Sequence, residues 1–239
     1  MEIKVVFDKA AVNKKIHIGW GFSALVDGGV LFDTGEKGEW LLDNMEQMAI
    51  DAGENIESVV ISHDHWDHTG GLPALLKKKK KGTSVYVCPN FSGEFKRQII
   101  RYGGKPVEVE RFMQIKKNIY TTGEIPGDYK GKAMPEQALV LKTERGISVI
   151  TGCAHPGILN MLGAVKQHFK TERLFLVMGG FHLLEEDARM IDFIAGEFKK
   201  MGIEKAAPTH CSGPKAEEIF AEEYGGKFIP VKAGKSLKV

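Results

Sequence analysis

Cysteine is scarce, with three thiols in 239 residues, at Cys88, Cys153 and Cys211. That odd number, in a chain long enough to fold without staples, excludes a disulfide-built scaffold and fits a reducing compartment. Charge of one sign is lacking too: 33 Lys and Arg against 31 Asp and Glu leave a formal +2. So even a balance argues for neither nucleic acid nor an anionic membrane as partner. Long apolar runs are missing. No stretch reaches the ~18 residues of a membrane span, and Met1-Glu2-Ile3-Lys4 opens directly into a strand-like run without a secretory leader. Low-complexity sequence is confined to Lys77 to Lys81, which reads as a solvated helix end rather than a grip on phosphates. The expectation is a cytoplasmic protein whose partners include neither membrane nor nucleic acid.

What is present is core material: 43% hydrophobic and 27% charged residues describe a globular chain. With no linker in its length, a single domain over 1–239 is expected. Glycine, at 28 residues, punctuates short β-branched runs. Extended segments are predicted over 3–7, 23–32, 58–61, 84–88, 106–110, 118–122, 138–142, 147–151, 174–178, 205–208 and 227–231. Leu41, Met45, Met48 and Ala52 repeat at i, i+4, i+7 and i+11, predicting a helix that Gly53 closes. Further helices are predicted over 71–80, 92–102, 158–169, 185–201 and 214–224. Glu144-Arg145-Gly146 reads as a hairpin turn. This alternation predicts an α/β domain with two sheets inside and helices outside. Gly19-Trp20-Gly21-Phe22-Ser23-Ala24 mimics a dinucleotide fingerprint, but a strand follows where a helix is needed. Trp20 and Phe22 read as a core pair at a strand end in preference to a flap over a site.

The chemistry concentrates in Ile61-Ser62-His63-Asp64-His65-Trp66-Asp67-His68-Thr69-Gly70-Gly71. This segment follows an apolar strand and precedes a helix, so its polar side chains fall on a loop at a strand's C-terminal end, where sites are commonly built. Three imidazoles and two carboxylates in so short a span need something to neutralise and order them. A metal does both, and nitrogen and oxygen donors suit zinc, iron or manganese. Distant donors are available as His155, in Thr151-Gly152-Cys153-Ala154-His155-Pro156-Gly157, and His210, in Thr209-His210-Cys211-Ser212-Gly213. His17 and His168 lack such company and read as packing or surface residues.

The His63-x-His65-x-Asp67-His68 run, with Asp33 upstream in Leu31-Phe32-Asp33-Thr34-Gly35 and histidines downstream, resembles the metallo-β-lactamase superfamily over essentially the whole chain. The resemblance implies a four-layer αββα sandwich of two mixed β-sheets with one or two metal ions at the edge where the sheets meet. It implies that His63, His65 and His155 hold one ion and that Asp67, His68 and His210 hold a second, with Asp33 a buried orienter of the loop. Thr151-Gly152-Cys153-Ala154-His155, Gly179-Gly180-Phe181-His182-Leu183 and Thr209-His210-Cys211 resemble the subgroup containing dihydropterin–ribofuranosylaminobenzene phosphate synthase. Cys153 stands where the wider family places a metal-bridging aspartate. It is either a ligand, a neighbour of the ligands, or a small buried thiol. Cys211 reads as core filler.

His182, after a Gly-Gly pair, is a candidate for contact with substrate. Ser212 and Gly213 open a helix beside His210 and offer backbone donors to an anion. The reading that follows is a hydrolase in which a metal-bound hydroxide attacks an ester, phosphoester or related small molecule, with Asp67 and His182 as catalytic candidates. The helix ends suit a phosphorylated substrate. The alternatives are a transferase with a diphosphate leaving group and a di-iron redox protein. One or two divalent ions are expected, zinc first, with iron or manganese as alternatives.

Overall fold

The computed structural model describes residues 1–79 and 82–239. Its chain divides into two compact units, one of residues 1–110 with 232–238 and one of residues 111–231 with Val239.

In the first unit, β1 (Glu2–Phe7), β2 (Ser23–Val26), β3 (Val30–Phe32), β4 (Ser58–Val60), β5 (Thr83–Val87) and β6 (Gly104–Glu108) lie side by side in sequence order, and a strand at Ser236–Lys238 pairs with β1 on the outer side. The pairs from β3 to β6 are parallel. Parallel strands are covered on both faces and therefore read as unbroken apolar runs, which explains why all of Val30-Leu31-Phe32 is buried. The helices α1 (Gly38–Gln47), α2 (Trp66–Thr69), α3 (Leu72–Lys78) and α4 (Gly93–Arg101) connect them. Leu41 and Met45 of α1, Leu72, Leu75 and Leu76 of α3, and Phe95 and Ile99 of α4 join Val6, Leu31, Val59 and Val85 in one core.

Three expectations are corrected here. The segment 23–32 is two strands, because Asp27 and Gly28 adopt φ of 46° and 63° and Gly29 N–H donates to the Val26 carbonyl; two successive positive-φ residues make a tight hairpin turn. The helix predicted to run to Gly53 ends at Gln47. Ala49 turns left-handed at φ 54°, its N–H bonding Glu46 O and the Ile50 N–H bonding Met45 O. This two-bond cap lets Ile50 return to the core, and it overrides the periodicity of Met48 and Ala52. The expected core pair holds for Phe22, edge-on to Phe32, and fails for Trp20, which is exposed. The lysine run begins in the last turn of α3; Lys80 and Lys81 lie outside the described residues.

In the second unit, β7 (Met113–Lys116), β8 (Ile119–Thr121), a small hairpin of β9 (Asp128–Tyr129) and β10 (Lys132–Ala133), β11 (Leu139–Thr143) and β12 (Gly146–Thr151) precede α5 (Ile158–His168), β13 (Leu174–Gly180), α6 (Ala188–Lys200), β14 (Lys205–Thr209) and α7 (Gly213–Tyr224). The six-stranded sheet runs β14-β13-β12-β11-β8-β7. The turn at 144–146 joins β11 to antiparallel β12 as expected, with Thr143 opposite Gly146. The pairs β12–β13 and β13–β14 are parallel, their crossovers being α5 and α6. Phe220 meets Phe181 and Phe198 edge to face, and those two rings meet at a tilt, in the core with Met161, Leu162 and Ile191. The strand expected over 227–231 is a short 3-10 turn followed by a single bridge from Phe228 to Ala206, since Gly225 and Gly226 interrupt any longer pairing. Among the described residues, no helix is long and apolar enough to cross a membrane.

Candidate metal centre

In each unit, adjacent parallel strands end on one edge of their sheet, and the candidate residues hang from those ends. In the first unit, Asp33 follows β3 and the His63–His68 segment follows β4. Asp33 is fully buried, and its backbone sits at φ 55°, which turns the carboxylate toward the neighbouring strand end. Its Oδ1 accepts the Ser62 N–H at 2.7 Å. Its Oδ2 accepts the Ser62 hydroxyl and the His68 Nδ1–H, each at 2.7 Å. Burial pushes the Asp33 carboxyl up, and this outweighs the opposing pull of His68 and Ser62.

These bonds select the imidazole tautomers. Because Ser62 Oγ gives its hydrogen to Asp33, His63 Nδ1, 2.9 Å away, is the donor of that contact. His63 and His68 thus both hold their proton on Nδ1 and carry the lone pair on Nε2. The His63 ring lies 4.8 Å from that of His65 and 4.1 Å from that of His68. His68 Nε2 stands 3.5 Å from Asp67 Oδ2, so a lone pair faces a carboxylate across a gap that a cation satisfies. Asp67 is 5% exposed and His63 and His68 are wholly buried. Imidazoles whose outer nitrogen is fixed by a carboxylate or hydroxyl are the usual dress of metal ligands, and this donor set fits a divalent ion.

In the second unit, His155 follows β12, His182 follows β13 and His210 follows β14. Ala154, His182 and His210 have φ of 64°, 55° and 50°. Single left-handed residues of this kind cost about 1–3 kcal/mol and gather at functional sites. Glu136, which sequence reasoning missed, lies under the 152–155 loop. Its fully buried carboxylate accepts the backbone N–H groups of Gly152, Cys153, Ala154 and His155 and the Nδ1–H of His155 at 3.0 Å. Burial alone would raise its pKa, but His155 and the backbone donors together hold it at about 2. The His155 side chain, 1% exposed, therefore also presents Nε2.

Cys153, His155 and His182 each offer a donor atom within 4.8 Å of the others. The His155 and His182 rings are 4.7 Å apart, and Tyr129, on the β9–β10 hairpin, meets both edge-on. Cys211 is buried, as expected of core filler, but its Sγ also bonds the Cys153 carbonyl. Burial would push the Cys211 thiol up, whereas its contacts with Cys153, His210 and His182 hold it well below the usual thiol range. The hydrogen bond to Cys211 in turn raises His182. Ser212 Oγ accepts the Phe181 N–H at 3.0 Å and donates to Gly179 O at 3.4 Å, so this hydroxyl ties the end of β13. Gly213 is buried at φ 80°. His17 stacks on Trp40 and His168 on Phe112, packing roles in both cases.

The two sheets of parallel-centred strands, with histidines and carboxylates gathered at their strand ends, are those of the metallo-β-lactamase superfamily, and the chain belongs to it. Residues 29–123 match the β-lactamase superfamily domain. Within the superfamily, the chain is 30% identical to 7,8-dihydropterin-6-methyl-4-(beta-D-ribofuranosyl)-aminobenzene-5'-phosphate synthase of Methanocaldococcus jannaschii, over 97% of this chain and 94% of that protein. The crystal structure of a metal-dependent hydrolase of the β-lactamase superfamily is 34% identical and superposes with a TM-score of 0.84, covering 100% of this chain and 99% of the other. The metallo-β-lactamase fold protein YhfI of Bacillus subtilis shares the fold at 14% identity, with a TM-score of 0.70 over 99% and 98% of the two chains.

Proposed function

We propose that the chain is a metal-dependent hydrolase acting on an ester, phosphoester or related small molecule. His63, His65 and His155 hold one divalent ion, and Asp67, His68 and His210 hold a second, with Cys153 as a further donor. Zinc suits this set best, with iron or manganese as alternatives. The observation that carries the reading is the clamping of Nδ1 in His63, His68 and His155 by Ser62, Asp33 and Glu136, which turns Nε2 of each ring outward as a donor. A bound divalent ion supplies Lewis acidity and lowers the pKa of water toward about 7. With two ions bound, Asp67 anchors the second and orients the attacking water; with a single ion, it serves instead as the general base. His182, beside His155 and raised by its Cys211 hydrogen bond, is the candidate proton donor to the leaving group. Asp33 and Ser62 keep the loop and its imidazoles in place. The 34% identical metal-dependent hydrolase supports this reading.

A second reading, a synthase that transfers a group with diphosphate as the leaving group, draws support from the 30% identical relative. The same Lewis acidity and the same proton donor serve it. The discriminating experiment is metal content per chain in protein purified without added metal, combined with turnover of phosphomonoesters, phosphodiesters and acyl esters. The hydrolase reading expects bound metal and ester cleavage, both lost in His63→Ala and His65→Ala. Full metal in either variant overturns the ligand assignment. Diphosphate release from a pterin-methyl diphosphate that requires an aromatic amine, with every ester inert, selects the synthase.

A further inference from the structure

The loop between β12 and α5 leaves the sheet with four consecutive backbone N–H groups that no ladder satisfies, and buried donors of this kind must find partners. One side chain takes them all. Glu136 Oε1 accepts from Gly152 at 3.1 Å, Cys153 at 2.9 Å and Ala154 at 2.9 Å, and Oε2 accepts from His155 N at 2.9 Å and His155 Nδ1 at 3.0 Å. The same carboxylate thus shapes the loop, including left-handed Ala154, and sets the tautomer of the imidazole that the loop presents.

We propose that Glu136 is the positioning residue for His155: it fixes the Nδ1–H tautomer and the 152–155 loop, so that His155 meets a metal through Nε2. This inference rests on the metal-dependent reading above. The chemistry of an isosteric change makes it testable. In Glu136→Gln, one oxygen becomes an NH2 group. If that group faces His155, Nδ1 must accept, the proton moves to Nε2, and ligation is blocked. If the amide is flipped, its NH2 faces three backbone N–H donors and the loop loses its anchor.

The experiment is chelator competition for cobalt in the full chain, read with the cobalt absorption spectrum, for the wild type, Glu136→Gln, Glu136→Asp, His155→Ala and the Glu136→Gln/His155→Ala double variant. Glu136→Gln is expected to weaken cobalt binding by about 10- to 100-fold, with partial recovery in Glu136→Asp. It should have no further effect when His155 is already removed. Wild-type affinity in Glu136→Gln, or an equal loss in the His155→Ala background, overturns the proposal. Should Glu136→Gln fail to fold, nitrogen-15 shifts of His155 in the wild-type chain decide: Nδ1–H is expected, and Nε2–H overturns it. A wild type that binds no cobalt, zinc, iron or manganese instead overturns the metal-dependent reading, while an Nδ1–H signal at His155 would still uphold the tautomer assignment.

Discussion

Asp33→Asn separates the folding role of this carboxylate from its orienting role. In the wild type, three donors converge on it, Ser62 N–H, Ser62 O–H and His68 Nδ1–H, all at 2.7 Å. Asparagine keeps one oxygen for the Ser62 N–H and sets an NH2 group against the other two. Ser62 Oγ can rotate and accept. His68 cannot do so without moving its proton to Nε2, the nitrogen that faces Asp67. Two charge-assisted bonds at about 1.5–3 kcal/mol each are replaced by neutral ones, but the cost of burying a charge also disappears, and burial dominates at this site. The metal-free chain should therefore lose only about 1–2 kcal/mol in urea unfolding. Metal affinity by chelator competition should fall about 10- to 100-fold, a share of the damage that stability does not register. Asp33→Ala strands all three donors and should cost about 3–5 kcal/mol of stability. An Asp33→Asn chain that is destabilised yet binds metal as tightly as the wild type would refute the orienting role and leave Asp33 a purely structural acid.

Tyr224 stacks on Phe220 with its buried hydroxyl unpartnered, so Tyr224→Phe should stabilise the chain by about 1 kcal/mol at neutral pH. Burial, with Glu223 nearby, pushes the phenol up to about 12 from 10. Stability that is present below pH 10 is thus lost as pH rises toward 12, because the unfolded chain ionises first; denaturant titrations should show this loss in the wild type and not in Tyr224→Phe. Ala49→Gly removes the Cβ from a helix cap at φ 54° and should raise stability by about 0.5–1 kcal/mol, measurable as a shift in urea midpoint at unchanged slope. Gly180→Ala would set a Cβ 2.2 Å from Gly152 O and 2.5 Å from Cys211 Sγ. A backbone oxygen cannot step aside, so a loss of about 3 kcal/mol in thermal or urea unfolding is expected; a neutral result would mean that the loop beneath it is not rigid.

The parts legible in the sequence are those whose partners are close in sequence. His63, His65, Asp67 and His68 share one six-residue segment, in which His63 and His65 lead into α2 and Asp67 and His68 lie on it, and their residue types and spacing suffice to announce the chemistry. Asp33 was legible only through family resemblance, since 29 positions separate it from Ser62. Glu136 was invisible. It precedes an apolar strand as a single acid, 16 to 19 residues ahead of the donors it gathers, and no spacing rule distinguishes it from a turn residue. The helix that ends at Gln47 failed for the opposite reason, because an apolar periodicity continued through Met48 and Ala52 while the backbone had already capped and turned.

The least legible feature is also the one common to both units. Asp33, Ala154, His182 and His210 all take left-handed backbone just past the ends of parallel strands. None is glycine, so no glycine marks the turns in the sequence, and each conformation costs about 1–3 kcal/mol. At Asp33 the cost is offset by three short hydrogen bonds, and at Ala154 by the Glu136 cradle. A strand continuing straight would carry the next side chain along the sheet axis. A single left-handed residue instead folds the chain back across the strand ends, which turns its carboxylate or imidazole toward the edge of its own sheet. At Asp33 and Ala154 the strain is thus the means of aiming these side chains, and it persists because the bonds of Asp33 to Ser62 and His68 and the Glu136 carboxylate under the 152–155 loop hold those turns in place.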